Sequence, residues 1–365
     1  MEQLAIFQTP YVPPERKPHA TFDWLVAQAV EADRLGFAEY WVGEHATVQW
    51  EVVPSPELVL AAAARETKHI ILAPGAHLLP YHHPATLAVQ ISWMTHLTQG
   101  RYILGVGAGA FPSDAALRGM KDLSQNHRMV VESLEIMKRI WAAEPFEYNG
   151  EFWKAGYPKQ DPNSPPCRDI RPYGGHVRIG IAGLTMNSSS MKFAGTNGYL
   201  PLSIALTPSQ LANHWSTYSQ AARAAGRKPE RRDHHALMEI FVGETDSEAR
   251  REALEGPMGV AWRAYILDAI KRLVPEILDG VPEGSDRETQ MEHIADTVWV
   301  VGSPETVVRK LCAKAKTAGG PWGTTMLFGY DYSQNPGPWN RSLALLANEV
   351  RPRLKREFDR MLSDS

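Results

Sequence analysis

Between Ala38 and Ala115 the chain repeats one pattern three times: a short apolar run, a burst of glycine, histidine, proline or acid, then a stretch with helical spacing. The three passages are AEYWVGEHATVQWE, HIILAPGAHLLPYHHPATLAVQ and GRYILGVGAGAFPSDA. Short β-type runs alternating with helices spell βα units, whose strands pair in parallel because each crossover returns the chain to the same end of the sheet. In that architecture chemistry gathers where strands end and loops begin.

The same alternation can be followed to the end of the chain. Strands are predicted at Leu4–Phe7, Glu39–Val42, Ile70–Ala73, Tyr102–Val106, Val177–Ile181, Pro201–Ala205, His235–Val242 and Thr325–Phe328. Helix starts are marked by Ser55-Pro56, His83-Pro84 and Thr207-Pro208, since proline suits a first helical turn, and Thr21 is read as the N-cap of the first helix. The fourth helix is expected over His127–Ala143 and a closing helix over Trp339–Met361. Eight strands separated by helices predict an α/β fold, a single (β/α)8 TIM barrel spanning residues 1–365. Two stretches break the rhythm and read as insertions at the catalytic face. Residues 145–175 hold a hairpin turning at Asn149-Gly150. Residues 256–296 mix helical apolar pieces with a polar tip near Gly280–Glu288, as a lid would.

Composition narrows the function. Lysine and arginine number 38 against 41 acids, a net charge of -3 with no basic block, so neither nucleic acid nor another polyanion is expected as a partner. Cys167 and Cys312 fall outside any metal or redox spacing, which suits a reducing compartment. The start, MEQLAIFQTP, has an acid at position 2 and only a short apolar run, and no segment reaches the length of a membrane span. A cytoplasmic enzyme without a membrane partner is expected.

The strand ends supply the candidates. Glu44 and His45 follow strand two, and a histidine there can take or give a proton near neutral pH, with Glu44 orienting a neighbour. Trp50 and Glu51 are expected at the pocket wall, as is His77. Gly75 and Ala76 are small residues at the end of strand three. GVGAGA at 105–110 lacks the third glycine and the later acid of a dinucleotide fingerprint. Ser188, Ser189 and Ser190 begin a helix, where backbone N–H groups, hydroxyls and the helix dipole suit a phosphomonoester; Lys192 stands nearby. His82 and His83 are adjacent, which points them apart, so no metal site is expected. Arg128 and Glu132 are read as an i,i+4 surface pair.

GEH after strand two, LLPYHHP after strand three and GRYILGVGAG through strand four resemble the luciferase-like, flavin-dependent monooxygenases. The wording is that of the branch with limonene 1,2-monooxygenase and the diketocamphane (type II Baeyer–Villiger) enzymes. The resemblance runs from about Phe7 to about Tyr332. It implies that His45 is the active-site histidine, and that the Gly75–Ala76 peptide is cis under the flavin. It also implies that Ala108, beside Gly109, stands where luciferase carries an arginine to the flavin phosphate. The serine loop would then hold that phosphate. The implied cofactor is FMN in its reduced form, FMNH2, delivered by a separate flavin reductase. The implied co-substrates are O2 and a small apolar, terpenoid-like molecule or cyclic ketone, with Baeyer–Villiger or epoxidation chemistry, in a homodimer. Three other readings remain open on the residues: F420-dependent hydride transfer on the same fold, a flavin-binding barrel without catalysis, and a zinc hydrolase barrel using His45, His77, His82 and His83. The last lacks an H-x-H pair after strand one.

Overall fold

The computed structural model describes residues 3–363. Its chain opens with β1 (Gln3–Tyr11), α1 (Pro18–Arg34), β2 (Glu39–Val42), α2 (Pro56–Glu66), β3 (Ile71–Pro74), β4 (His77–Leu78), α3 (Pro84–Leu97) and β5 (Ile103–Gly107). There follow α4 (Pro112–Ala116), α5 (Asn126–Ala142), the hairpin β6 (Phe146–Asn149) and β7 (Lys154–Tyr157), then β8 (Arg178–Gly183), α6 (Ser189–Asn197), β9 (Leu200–Ile204) and α7 (Pro208–Ala224). The last third carries β10 (His235–Met238), β11 (Ile240–Val242), α8 (Asp246–Glu255), α9 (Pro257–Ala261), α10 (Leu267–Leu273), α11 (Arg287–Thr297), β12 (Val300–Gly302), α12 (Pro304–Thr317), β13 (Thr324–Tyr330), α13 (Pro336–Leu345) and α14 (Arg351–Ser363).

Parallel pairing orders the main sheet β3-β2-β1-β13-β10-β9-β8-β5-β4. β3 and β4 are two halves of one barrel strand. β3 pairs with β2 and β4 with β5, and a bridge between Leu72 and Tyr102 closes the ring. With β3 and β4 counted together, the ring has the eight strands predicted, as a (β/α)8 barrel requires. The strand breaks at Gly75-Ala76, whose peptide bond is cis, as is Thr9-Pro10.

Proline at the first turn starts α1, α2, α3 and α7, where its missing N–H has no helical partner to lose. Thr207 and Gln210 add a reciprocal capping box to α7. Thr21 is not the cap of α1. That helix starts at Pro18, with Lys17 extended before it, and the Thr21 hydroxyl turns back to the Lys17 carbonyl.

The predicted seventh strand is also divided. β10 stays in the barrel, whereas β11 leaves it to pair with β12, a strand absent from the sequence reading. The hinge is Glu239, whose buried carboxyl receives Trp262 Nε1 at 3.1 Å and the Tyr330 hydroxyl. Arg128 does not pair with Glu132: it meets Glu151 at 2.9 Å. Glu132 instead accepts the backbone N–H groups of Glu151, Phe152 and Trp153, tying the hairpin turn to α5. Four consecutive residues therefore turn the hairpin, rather than the two of Asn149-Gly150. No described helix is long and apolar enough to cross a membrane, and the two cysteines form no disulfide.

Candidate active site

The carboxyl ends of the strands surround a cavity of about 300 Å³. Its floor is nearly free of side chains, because Gly75, Ala76, Gly105, Gly107 and Gly180 line it. Trp41, fully buried beneath, explains two of those glycines: a Cβ at Gly105 would stand 2.8 Å from its ring and 2.1 Å from the Pro74 carbonyl oxygen, and one at Gly180 would stand 3.0 Å from the ring. The Pro74 carbonyl and the tryptophan together leave no room for a side chain at Gly105, and Leu202 with the tryptophan leaves little at Gly180. The result is a flat slot with apolar walls, among them Phe7, Phe328 and Ile204.

His45 stands at the wall, its side chain 16% exposed. Asp114, at the start of α4, approaches Nδ1 at 3.0 Å, and Glu51 approaches Nε2 at 3.2 Å. The other Asp114 oxygen accepts the backbone N–H groups of Ala46 and Thr47 and the Thr47 hydroxyl. Burial opposes the charge on Asp114, but these bonds and His45 more than offset it and hold the carboxyl below the usual range. Arg118 braces the arrangement, donating to the Asp114 carbonyl at 3.0 Å while stacking on Tyr81. Asp114 escaped the sequence reading because nothing in FPSDA marks its contact with a residue 69 positions away; an acid in the first helical turn of the loop after β5 was the available signal.

Glu44 does not line the cavity. Its carboxylate, almost fully buried, takes hydrogen bonds from His82 Nε2 (2.7 Å), His77 Nδ1 (3.2 Å) and the Leu78 amide (3.1 Å). Burial opposes ionisation, but the two imidazoles outweigh it and bring the carboxyl down to about 2. These three side chains place ligand-type atoms within 4.8 Å of one another, with the Arg118 guanidinium 3.9 Å from the Glu44 oxygen. His83 points away as expected and caps α3 by accepting from Ala85.

His77 and Trp50 also stand back from the wall to which they were assigned. His77 is committed to Glu44, and Trp50 stacks on Tyr265 with ring centroids 6.3 Å apart. Ala108 lines the cavity, whereas Gly109, at φ 72°, lies under the Tyr81 ring, where a Cβ would meet its hydroxyl at 2.5 Å.

The serine loop reaches the cavity through one member. Ser190 lines it; the Ser188 Oγ is spent on capping α6, accepting from Met191 N at 3.4 Å; Ser189 is exposed in the first turn. His127 and Thr9 face the same space and were not foreseen. The Thr9 hydroxyl is buried at this wall beside the Tyr11 phenol and makes no hydrogen bond of ordinary geometry among the described residues. From the 256–296 segment, Ile270 reaches the cavity and the Tyr265 hydroxyl donates to Glu51 at 2.6 Å.

A glycine-lined apolar slot, a buried hydroxyl and the first turn of a helix at its wall suit a flavin mononucleotide, which needs a ring sandwiched, edge atoms bonded and a phosphate anchored. Comparison with known proteins agrees. Residues 3–320 match the family model described as luciferase-like monooxygenase. The chain is 39% identical to 3,6-diketocamphane 1,6-monooxygenase of Pseudomonas putida, with 97% of this chain and 98% of that protein covered. It is 29% identical to limonene 1,2-monooxygenase of Rhodococcus erythropolis over 88% of this chain and 78% of that one. Among solved structures, it matches the oxygenating constituent of 3,6-diketocamphane monooxygenase in complex with FMN. The TM-score is 0.91 at 39% identity, with 96% of this chain and 98% of that chain covered.

Proposed function

The chain belongs to the luciferase-like monooxygenase family, and from that premise we propose that it is the oxygenating component of a two-component flavin-dependent system. It takes FMNH2 from a separate reductase and inserts one atom of O2 beside the carbonyl of a small apolar cyclic ketone, a Baeyer–Villiger reaction; the other atom leaves as water. When bound, FMNH2 supplies the two electrons that activate O2. The observation that carries this reading is His45, held between two carboxylates at the wall of a flat, apolar slot.

The chain's own residues divide the work. The glycine floor and the Gly75–Ala76 peptide receive the ring, and Thr9 offers an edge hydroxyl. Ser190 and the first turn of α6 hold the phosphate, with Ser189 beside them. Phe7, Phe328 and Ile204 exclude water and position an apolar substrate. His45 polarises the ketone oxygen and returns a proton to the oxygen that leaves. Glu44 acts behind the wall, orienting the short strand β4 next to the Gly75–Ala76 edge of the slot. Residues 256–296 close the mouth through Ile270 and Tyr265, within the one barrel domain. A homodimer is proposed as well; Leu58 of α2 and Val89 and Trp93 of α3 are exposed apolar side chains that such a contact would cover.

The test is direct. Photoreduced FMN is supplied to the protein, followed by O2 and a bicyclic ketone, and the lactone is sought by mass spectrometry with labelled O2. Absence of lactone from a panel of cyclic ketones, with epoxide formed from a cyclic alkene, would replace the ketone with an alkene. No oxygenated product from either class would end the proposal.

A further inference from the structure

His45 has an acceptor on each nitrogen, and the proton count of that arrangement is informative. Asp114 is an ionised carboxylate, supplied with donors from Ala46 and Thr47, so it accepts from His45 and places a proton on Nδ1. A neutral ring with that proton offers only a lone pair at Nε2. Glu51 Oε2 lies 3.2 Å from this Nε2, and two acceptors do not approach so closely without a proton between them. The Nε2–Oε2 contact therefore holds one proton.

The surroundings of Glu51 suit that task. The residue is 5% exposed. The groups facing it are His45 from the loop after β2, Asp114 from α4, Tyr11 from the end of β1, and Tyr265. No lysine or arginine pairs with it among the described residues. Its second oxygen, Oε1, accepts from the Tyr265 hydroxyl at 2.6 Å. Tyr265 belongs to a π turn, Trp262–Ile266, inserted between α9 and α10. Such turns shift the register of the side chains and recur at functional sites. This one sends Trp262 to Glu239 and Tyr265 to Glu51.

We propose that Glu51 is a positioning residue for His45, storing on the Nε2–Oε2 contact the proton that His45 delivers to an oxygen atom in the cavity, with Tyr265 setting how firmly that proton is held. The inference rests on the role given to His45 above. In the step, the Glu51 O–H bond breaks as an Nε2–H bond forms. The proton then passes from Nε2 to the acceptor oxygen, and a Glu51 carboxylate remains on the Tyr265 hydroxyl until solvent returns a proton. Burial, the strongest influence on this carboxyl, raises it above the usual range and so favours its protonated form. Tyr265 and the charge of His45 act the other way.

Glu51→Gln keeps the shape and can donate to Nε2 but has no proton to release. It should lower kcat about 10- to 100-fold, within the usual range for acid–base groups. KM for the ketone and FMN affinity should stay near parental, and the alkaline limb of the kcat–pH profile should disappear. Tyr265→Phe removes a bond that favours the carboxylate, so the alkaline limb should move to higher pH. In flavin-free protein, the ¹⁵N resonance of His45 Nε2, identified by its loss in His45→Ala, should respond to pH in the parent and not in Glu51→Gln. A parental kcat–pH profile together with a parental Nε2 response in Glu51→Gln overturns the proposal. Should that variant fail to fold, an unmoved limb in Tyr265→Phe does the same. Slow turnover in His45→Ala with fast turnover in Glu51→Gln removes only Glu51, whereas parental turnover in His45→Ala removes the reading of His45 itself.

Discussion

Glu39, from β2, and His235, from β10, meet at 3.1 Å inside the barrel, both almost fully buried and 196 residues apart. Burial would lower the imidazole's pKa, but the charge and hydrogen bond of Glu39 reverse this and the net direction is up. Burial would likewise raise Glu39, but His235 and the Trp41 indole outweigh it and the net direction is down. Stability from a raised imidazole is present below its unfolded value of 6.5 and is lost as pH rises through the folded value. Stability from a depressed carboxyl is present above its unfolded value of 4.5 and is lost as pH falls through the folded one. The pair therefore contributes most between those two values. Glu39→Gln should cost about 3–5 kcal/mol at pH 5.5 and less at pH 8.5, because it strands a buried imidazolium. Urea melts at the two pH values check this; an equal loss at both would rule the pair out as a pH-dependent contributor.

Glu239 behaves in the opposite sense. Burial pushes its carboxyl up to about 8, against the bonds from Tyr330 and Trp262. A raised carboxyl binds its proton more tightly folded than unfolded, so its contribution is present below 4.5 and is lost as pH rises toward 8. Glu239→Gln, nearly the same shape and never charged, should fold normally and lose less stability than the parent between pH 6 and pH 9. Thermal melts across that range decide it, and parallel pH curves for the two proteins would refute the prediction.

His45→Ala should lower oxygenation about 10²–10⁴-fold while FMN affinity changes little, since the residue sits at the slot wall and not at the phosphate end. Stopped-flow turnover alongside calorimetric FMN titration separates the two. An unchanged ratio of product to hydrogen peroxide at parental rate would remove His45 from the chemistry.

The serines should divide by role. Ser189→Ala with Ser190→Ala should weaken FMN binding by about 1–3 kcal/mol, because two hydroxyls go and the backbone N–H groups remain. Ser188→Ala should leave FMN contacts intact but destabilise α6 by about 1 kcal/mol through loss of its cap. FMN should bind more tightly than FAD in the parent. Calorimetry showing equal FMN and FAD affinity, or a Ser188→Ala defect confined to flavin binding, would contradict this division.

Trimming Gly280–Glu288 should leave the barrel folded and raise hydrogen peroxide released per FMNH2 oxidised, since that tip anchors the excursion that brings Tyr265 and Ile270 to the cavity. Arg263–Glu288 and Arg287–Asp268 ion pairs fasten it. Coupling equal to the parent's would show that the tip is dispensable.

What the sequence determined by itself is what travels with local pattern. Alternating apolar runs and proline-opened helices specify eight βα units, and GEH, GAHLLPYHHP and the serine loop mark strand ends, because periodicity and turn chemistry are written in consecutive residues. The resemblance carried by those words, not the pattern itself, implied the cis bond at Gly75-Ala76, and the structure has that bond cis with His45, Ala76, Ala108 and Ser190 at the cavity. Tertiary structure alone decided which partners the charged groups take. Glu44 turned from the cavity to two histidines that arrive 33 and 38 residues later. Glu132 left its helical neighbour for the amides of a hairpin turn. Asp114 and Tyr265 came to His45 and Glu51 from elements far along the chain. Buried carboxylates must find donors wherever the closed barrel brings them, and which donors arrive depends on closure rather than on spacing along the chain.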